Sequence, residues 1–242
     1  MKLSVIVPVY NEKDTVKELL ERVAAVPVEK QVILVDDHST DGTTEVLKSL
    51  EAGKAPGSGY LFLYHDSNRG KGAAIRTAQP HVGGDIVIVQ DADFEYDPAE
   101  YPKLVVPIVK GEADVVYGSR FPGYPRGALS SGHTMANYLL TFLSNLFNNL
   151  ELTDMETCYK VFRSDVFGAI PIESDGFGFE PEVTAKLARM GCRICEVPIS
   201  YRGRTGREGK KIGWRDGVSA VWTIIRYGVI DRIWPGSTIR PD

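Results

Sequence analysis

Short apolar runs separated by amphipathic stretches dominate the first half of the chain. Residues 3–9 (LSVIVPV), 31–37 (QVILVDD), 60–65 (YLFLYH), 85–91 (DIVIVQD) and 113–119 (ADVVYGS) are rich in β-branched residues, which predicts strands. Between them the periodicity turns helical. Val16, Leu19, Leu20 and Val23 stand at i, i+3, i+4 and i+7 and make one apolar stripe, with Asn11 or Asp14 placed to cap that helix. Nearly all-apolar strands alternating with helices predict an α/β fold, a mostly parallel sheet covered by helices on both faces. Residues 53–59 (GKAPGSG) read as a turn-rich loop rather than a linker, and no internal repeat interrupts the chain, so 1–242 is expected to be a single domain.

The second half is less regular. Residues 119–132 (SRFPGYPRGALSSG) read as a loop of a length uncommon in a compact domain unless it has a function. A helix is predicted over 133–150, with Met135, Leu139, Phe142, Leu143, Leu146 and Phe147 as its apolar positions. A strand at 158–163, a helix at 179–190 and a strand at 193–201 follow, then a basic, glycine-rich loop at 202–213. The last helix runs from 214 to about 230 with a stripe of Val218, Val221, Trp222 and Ile225, read as a core-facing stripe rather than a membrane-lying one.

Composition narrows the function classes. At 242 residues and 43% hydrophobic content the chain can bury a full core. A net charge of -4 argues against bulk nucleic-acid binding. Three cysteines, Cys158, Cys192 and Cys195, argue against a disulfide framework, and the C-x-x-C of the last two lacks the second pair a zinc site needs. The N-terminal MKLSVIVPVY reads as a first strand, not a signal peptide, and no apolar run reaches the roughly 18 residues of a membrane span. The expected location is the cytoplasm, with any membrane contact peripheral or through a partner protein.

Chemistry concentrates where open parallel sheets bind ligands, at the carboxyl ends of the strands. Tyr10-Asn11-Glu12 ends the first strand, Asp36-Asp37-His38-Ser39 the second, Asp91-Ala92-Asp93 the fourth and Gly118-Ser119-Arg120 the fifth. Two carboxylates one residue apart at a strand exit can both reach a hard cation, and Mg²⁺ or Mn²⁺ held by one or two carboxylates plus substrate phosphates is common at nucleotide sites. Glu95 is the candidate third ligand. Asn68-Arg69-Gly70-Lys71-Gly72 is glycine-rich but does not match a Walker loop.

Taken in order, the VPVYNE opening, VDDHSTDGT, NRGKGAAIRTA, DADFEYDP and GSRF resemble the family 2 glycosyltransferases of the GT-A fold, and within them the dolichyl- or polyprenyl-phosphate hexose synthases. The resemblance is dense over residues 3–121 and thinner over 122–242, and implies a nucleotide-sugar-binding first half and an acceptor-binding second half. It implies a nucleoside pocket at Pro8, Tyr10, Glu12 and Asp37, base or diphosphate contacts from Asn68, Lys71 and Arg202, metal and diphosphate at Asp91, Asp93 and Glu95, and Arg120 facing the phosphates or acceptor. Members of that group carry glutamine where Glu95 stands. They often carry extra basic residues after G-S-R, where this chain offers Arg126, Ser130, Ser131 and His133. Many also continue into membrane helices. Arg202, Arg204, Arg207, Lys210, Lys211 and Arg215, interleaved with glycines, read as a lid closing on the donor diphosphate or on an anionic lipid head group.

The expected reaction is inverting transfer of a hexose from a nucleoside-diphosphate sugar (GDP-mannose, or a UDP- or dTDP-hexose) to polyprenyl or dolichyl phosphate. The alternative is transfer to a hydroxyl, which needs a general base. Asp154, in LTDMETCYK, is the first candidate for that base, followed by Glu156, Glu180 and Glu182. Two readings from other classes stand beside these. A sugar-phosphate nucleotidyltransferase would need the glycine- and arginine-rich N-terminal loop that LSVIVPVYNE lacks, and a silent GT-A binding module would have no use for the intact Asp91/Asp93 pair.

Overall fold

The structure is a computed structural model describing residues 1–55, 57–121, 131–203 and 214–233, with the side chains of 131–133, 214–216 and 232 excepted. All seven expected strands form: β1 (Leu3–Val9), β2 (Lys30–Asp36), β3 (Tyr60–Tyr64), β4 (Ile86–Val89), β5 (Val115–Ser119), β6 (Lys160–Arg163) and β7 (Ile194–Pro198). They make one sheet in the order β3-β2-β1-β4-β6-β5-β7. β1 pairs in parallel with β2 and β4, and β5 with β7, while β6 runs antiparallel between β4 and β5. The antiparallel insert was not legible in the apolar runs, because strand direction depends on how the connection returns.

The helices are α1 (Val16–Ala25), α2 (Thr43–Ala52), α3 (Lys71–Ala78), α4 (Tyr101–Val109), α5 (Ser131–Asn148), α6 (Ser164–Ala169), α7 (Phe179–Arg189) and α8 (Trp214–Ile225), which passes into a π-helical turn over Arg226–Ile230. Among the described residues no helix is long and apolar enough to cross a membrane. The three cysteines are free.

Successive strand residues feed opposite faces, as the pleat requires. Val5, Val7, Val32, Leu34, Ile86 and Ile88 join α1 and α4 in one apolar cluster. Ile6, Ile33, Val35, Val87 and Val89 join α3 and α7 in the other. The α1 stripe is buried as its spacing requires, at Val16, Leu19, Leu20 and Val23. Its cap differs from the expectation: Thr15, not Asn11 or Asp14, is the N-cap residue, and it makes no side-chain capping bond. Asn11 is instead drawn to the β2 loop, where its Oδ1 accepts from Thr40 N at 2.8 Å.

The stripe expected of α8 is also displaced. Ala220, Thr223 and Ile224 face the core, whereas Val218 is exposed. A helix apolar over most of its circumference does not announce which side is buried, and packing against α5 and α7 selects it.

Candidate active site

The exits of β1, β2 and β4 are tied together before any ligand arrives. Asn11 and His38 adopt left-handed backbone, with φ of 52° and 61°, so both strands turn sharply at their ends. Asn11 N donates to Ser39 Oγ at 2.9 Å, locking the first loop to the second. The Thr15 hydroxyl stands 2.7 Å from Glu12 Oε2 and 2.9 Å from Ala92 O, which fixes Glu12 beside the Asp91–Asp93 turn. Pro8 and Tyr10 lie half-buried at the same strand end. An open cavity of about 440 Å³ lies alongside, lined by residues including Glu12, Lys13, Phe94, Glu95 and Arg202.

At the β4 exit, Gln90 is anchored by Tyr101 and Tyr159, whose hydroxyls donate to its Oε1 at 2.7 and 2.6 Å. Asp91 Oδ1 lies 2.8 Å from the Lys71 ammonium, which also reaches Glu180 Oε1 at 3.0 Å and Cys158 Sγ at 3.1 Å. Burial alone would lower the Lys71 pKa, but Asp91 and Glu180 outweigh it and hold the amine protonated well above its ordinary value. Burial, then Asp91, pushes the Cys158 thiol up and keeps it neutral. Asp93 Oδ1 accepts from Glu95 N at 3.0 Å, which shapes the turn. Glu95 Oε2 accepts from the Tyr201 hydroxyl at 2.8 Å, and Glu95 O accepts from Arg202 N at 2.9 Å. Among the described residues no three of His, Cys, Asp and Glu stand close enough to hold a metal by themselves.

Asp37 is turned inward. Its carboxylate accepts from Arg69 N at 2.8 Å and Gly70 N at 2.6 Å, and His65 Nδ1 lies 2.7 Å away. Asn68 Nδ2 adds a longer bond to Asp37 O at 3.3 Å. The glycines of the N-R-G-K-G segment serve close packing: a Cβ at Gly72 would fall 2.1 Å from Ser174 O, and one at Gly70 2.4 Å from Asp175 O. Gly72→Ala is accordingly expected to destabilise the fold by about 3 kcal/mol or more, because backbone rather than a flexible side chain must move. Chemical denaturation of the variant checks this, and an unchanged midpoint would show that the loop at 174–176 yields freely.

At the β5 exit, the Arg120–Asp154 pair is two-pronged, Nε to Oδ2 at 2.7 Å and Nη2 to Oδ1 at 2.8 Å. Asp154 also accepts from Arg120 N and from Asn137 Nδ2, each at 3.0 Å. Its side chain is 0% exposed and that of Arg120 12%. Burial would raise the Asp154 carboxyl, but Arg120 and the accepted hydrogen bonds hold it below its ordinary value. A carboxylate so engaged is a counter-ion whose oxygens are already committed. Arg120 in turn lies over the Tyr201 ring at 5.1 Å.

The other acidic candidates separate. Glu182 is fully buried, accepting from Glu173 N and Ser174 N and pairing with Lys186, which makes it structural. Glu180 belongs to the Lys71 group. Glu156 has a buried Oε1 with no hydrogen-bond partner, and burial, then Glu180, pushes its carboxyl up to about 8. Arg126 and Ser130, the side chains of Ser131, His133 and Arg215, and the basic positions Arg204, Arg207, Lys210 and Lys211 lie outside the described residues.

The structure thus brings together Lys71 with Asp91, Arg120 with Asp154, Glu12 with the Asp91–Asp93 turn, and Glu95 with Arg202. Tyr201, which touches both Glu95 and Arg120, and Asn137, which supports Asp154, went unnoticed in the sequence. Tyr201 is 106 residues from Glu95 and ends an ordinary strand-like run, so no local signal marks it.

The glycosyl transferase family 2 pattern matches residues 4–170. An undecaprenyl-phosphate mannosyltransferase of Micrococcus luteus is 32% identical over 247 residues, with 99% of this chain and 99% of that protein covered. The undecaprenyl-phosphate 4-deoxy-4-formamido-L-arabinose transferase of Edwardsiella ictaluri is 32% identical over 212 residues; 86% of this chain is covered, but only 62% of that relative. In fold the chain is similar to glucosyl-3-phosphoglycerate synthase of Mycobacterium tuberculosis, solved with Mn²⁺, UDP and phosphoglyceric acid, at a TM-score of 0.72 and 20% identity over 94% of this chain and 78% of that one. With the family pattern spanning more than half its length and a relative matched end to end, the chain belongs to glycosyl transferase family 2 and is a glycosyltransferase with the GT-A fold.

Proposed function

We propose that the protein transfers a hexose from a nucleoside-diphosphate sugar to a polyprenyl or dolichyl phosphate, with donor bound by the first half of the chain and acceptor by the second. The nucleoside lies along Pro8, Tyr10 and Glu12, with Asn68 and Arg202 at its edges, and Asp37 supports the pocket from within by holding the Arg69–Gly70 backbone. Asp91 and Asp93, with Glu95 beside them, would hold Mg²⁺ or Mn²⁺ together with the donor's phosphates, because they offer hard oxygen donors on one turn. Such an ion would supply positive charge to the departing diphosphate. Lys71 orients Asp91 and balances its charge beneath that turn. Arg120, pre-set by Asp154, presents its guanidinium to the acceptor phosphate. An anionic phosphate oxygen attacks the anomeric carbon from the side opposite the leaving group, so no base is required. The work is done at the cytoplasmic membrane face, where such an acceptor is found.

The observation that carries the choice of acceptor is the engagement of Asp154. A hydroxyl acceptor needs a basic carboxylate, and Asp154 is held ionised with all its bonding directed at Arg120 and Asn137. The relative matched along its whole length is itself named for an undecaprenyl-phosphate acceptor. The raised carboxyl of Glu156 favours one second reading, transfer to a hydroxyl with Glu156 as base. Assays with nucleoside-diphosphate hexoses, offering a polyprenyl phosphate and the matching polyprenol, separate the two. Transfer to the phosphate alone is expected, with Glu156→Gln close to wild type. Equal transfer to both acceptors, with Glu156→Gln slowed about 10²–10⁴-fold and the pH limb near 8 lost, would install the second reading instead.

A further inference from the structure

The segment that follows β7 straps two strand exits together. Ile199 N donates to Ser119 O at 2.9 Å, at the end of β5, and the Ser200 hydroxyl donates to Glu100 Oε1 at 2.9 Å. Arg202 N then donates to Glu95 O at 2.9 Å. Between Ile199 and Arg202 the chain thus passes from the β5 exit, which carries Arg120, to the turn after β4, which carries Asp91, Asp93 and Glu95. Backbone bonds alone close that span. What the Tyr201 side chain adds is one contact toward each substrate site. Its hydroxyl donates to Glu95 Oε2 at 2.8 Å, and its ring lies beneath the Arg120 guanidinium at 5.1 Å.

The ring is itself held in place. Tyr96 meets it edge-to-face at 5.2 Å, and Tyr96 is buried, packed in turn on Tyr159 at 4.7 Å, with its hydroxyl accepting from Cys158 N at 3.1 Å. At the far end Arg120 is clamped by the two oxygens of Asp154. Glu95, Tyr201, Arg120 and Asp154 therefore form one line in which each member touches the next. The line begins at the turn read as the seat of the metal and diphosphate and ends at the guanidinium read as the seat of the acceptor phosphate. A guanidinium is held best when centred over an aromatic face, so the angle of the Tyr201 ring bears on how Arg120 lies. That angle is set by the hydroxyl's bond to Glu95, the residue nearest the donor's diphosphate on this line. A phenylalanine would keep the ring and lose the bond, which makes the two contacts separable.

We propose that Tyr201 is a positioning residue that couples the two substrate sites: when the donor site is occupied Glu95 is fixed, the Tyr201 ring with it, and Arg120 is set to receive a phosphate. The proposal rests on the lipid-phosphate reading of Arg120 and adds how occupancy of the donor site reaches it. Such coupling is reciprocal and commonly amounts to a factor of about 5–150 in affinity. The test is calorimetric titration of the full chain with farnesyl phosphate, a short isoprenyl phosphate. It is run with and without saturating Mn²⁺ and GDP, UDP or dTDP, whichever raises the wild-type melting temperature. A nucleoside diphosphate without its sugar permits binding but no turnover. Wild type is expected to bind farnesyl phosphate at least about fivefold more tightly when nucleotide and ion are present. Tyr201→Phe, which keeps its ring against Arg120, should stay folded and show no such enhancement. Tyr201→Leu, which removes the ring as well, should bind farnesyl phosphate more weakly in both conditions. A tyrosine serving only the fold would shift both affinities together and leave their ratio intact. Equal wild-type affinity in the two conditions, or full enhancement in Tyr201→Phe, would overturn the proposal while leaving the acceptor reading in place. Failure of farnesyl phosphate to bind wild type in either condition would defeat the acceptor reading, and this proposal with it.

Discussion

Asp93→Asn is expected to reduce transfer by about 10³-fold or more while leaving the melting temperature close to wild type. The change removes a charge from the half-exposed end of β4 but keeps the side chain's size and its ability to accept from Glu95 N, so the turn survives. Asp91→Asn should be equally inactive and less stable as well. Asp91 neutralises a Lys71 ammonium that is only 12% exposed, and its loss leaves that charge to Glu180 alone. The pair of variants therefore separates chemistry from folding: activity falls in both and stability in one. Measurements of initial rate against Mg²⁺ and Mn²⁺ concentration, together with thermal melting, check this. Near-normal turnover in Asp93→Asn with unchanged metal dependence would remove that turn from the reaction.

Asp154→Asn is expected to cost about 3–5 kcal/mol of stability, since it leaves a buried guanidinium without its counter-charge. The acceptor KM should rise, because Arg120 loses the partner that aims it, and kcat with a phosphate acceptor should change far less. The pH dependence has a definite sign. The folded-state carboxyl lies below its ordinary value of 3.8, so its contribution is fully present above that pH and is lost as pH falls through the folded value. Asp154→Asn should thus lose the part of the wild-type acid sensitivity that this pair supplies, and the two stability curves should converge toward acid. A general base would behave otherwise, with unchanged stability, a kcat fall of about 10²–10⁴-fold and a missing limb in the rate profile. Urea denaturation across pH and steady-state kinetics with the phosphate acceptor distinguish the two outcomes.

Several candidate residues were legible because their meaning is local. Asp91 and Asp93 stand directly after an apolar run, and a strand exit is where an open sheet binds ligands. Gly70 and Gly72 were also visible, but their reason was not. They read as a loop shaped for a ligand, whereas both avoid the backbone of 174–176, a hundred residues away in the chain. Asp154 was visible as a T-D carboxylate, but its role depends on Arg120 and Asn137, which reach it from β5 and α5. An isolated aspartate is a base or a counter-ion according to what lies within about 3 Å of it.

The seven strands, the alternation of their faces and the α1 stripe were determined by the sequence itself, because apolar periodicity is a local property that burial must satisfy. The placing of the candidate residues at strand exits and the family were equally present in the bare residues. Tertiary structure alone decided the antiparallel insertion of β6, the core face of α8, the Tyr201–Glu95 bond and the pairing of Arg120 with Asp154. It also decided that Met135, Leu139, Phe142 and Leu146, four of the apolar positions of α5, turn outward, while Asn137, Thr141 and Ser144 turn inward. On a helix with apolar residues on both faces, periodicity cannot say which face is buried. Here the hydrogen bonds that Asn137, Thr141 and Asn145 make to residues 152–155 choose it, since leaving those polar groups buried and unpaired would cost more than exposing the apolar stripe.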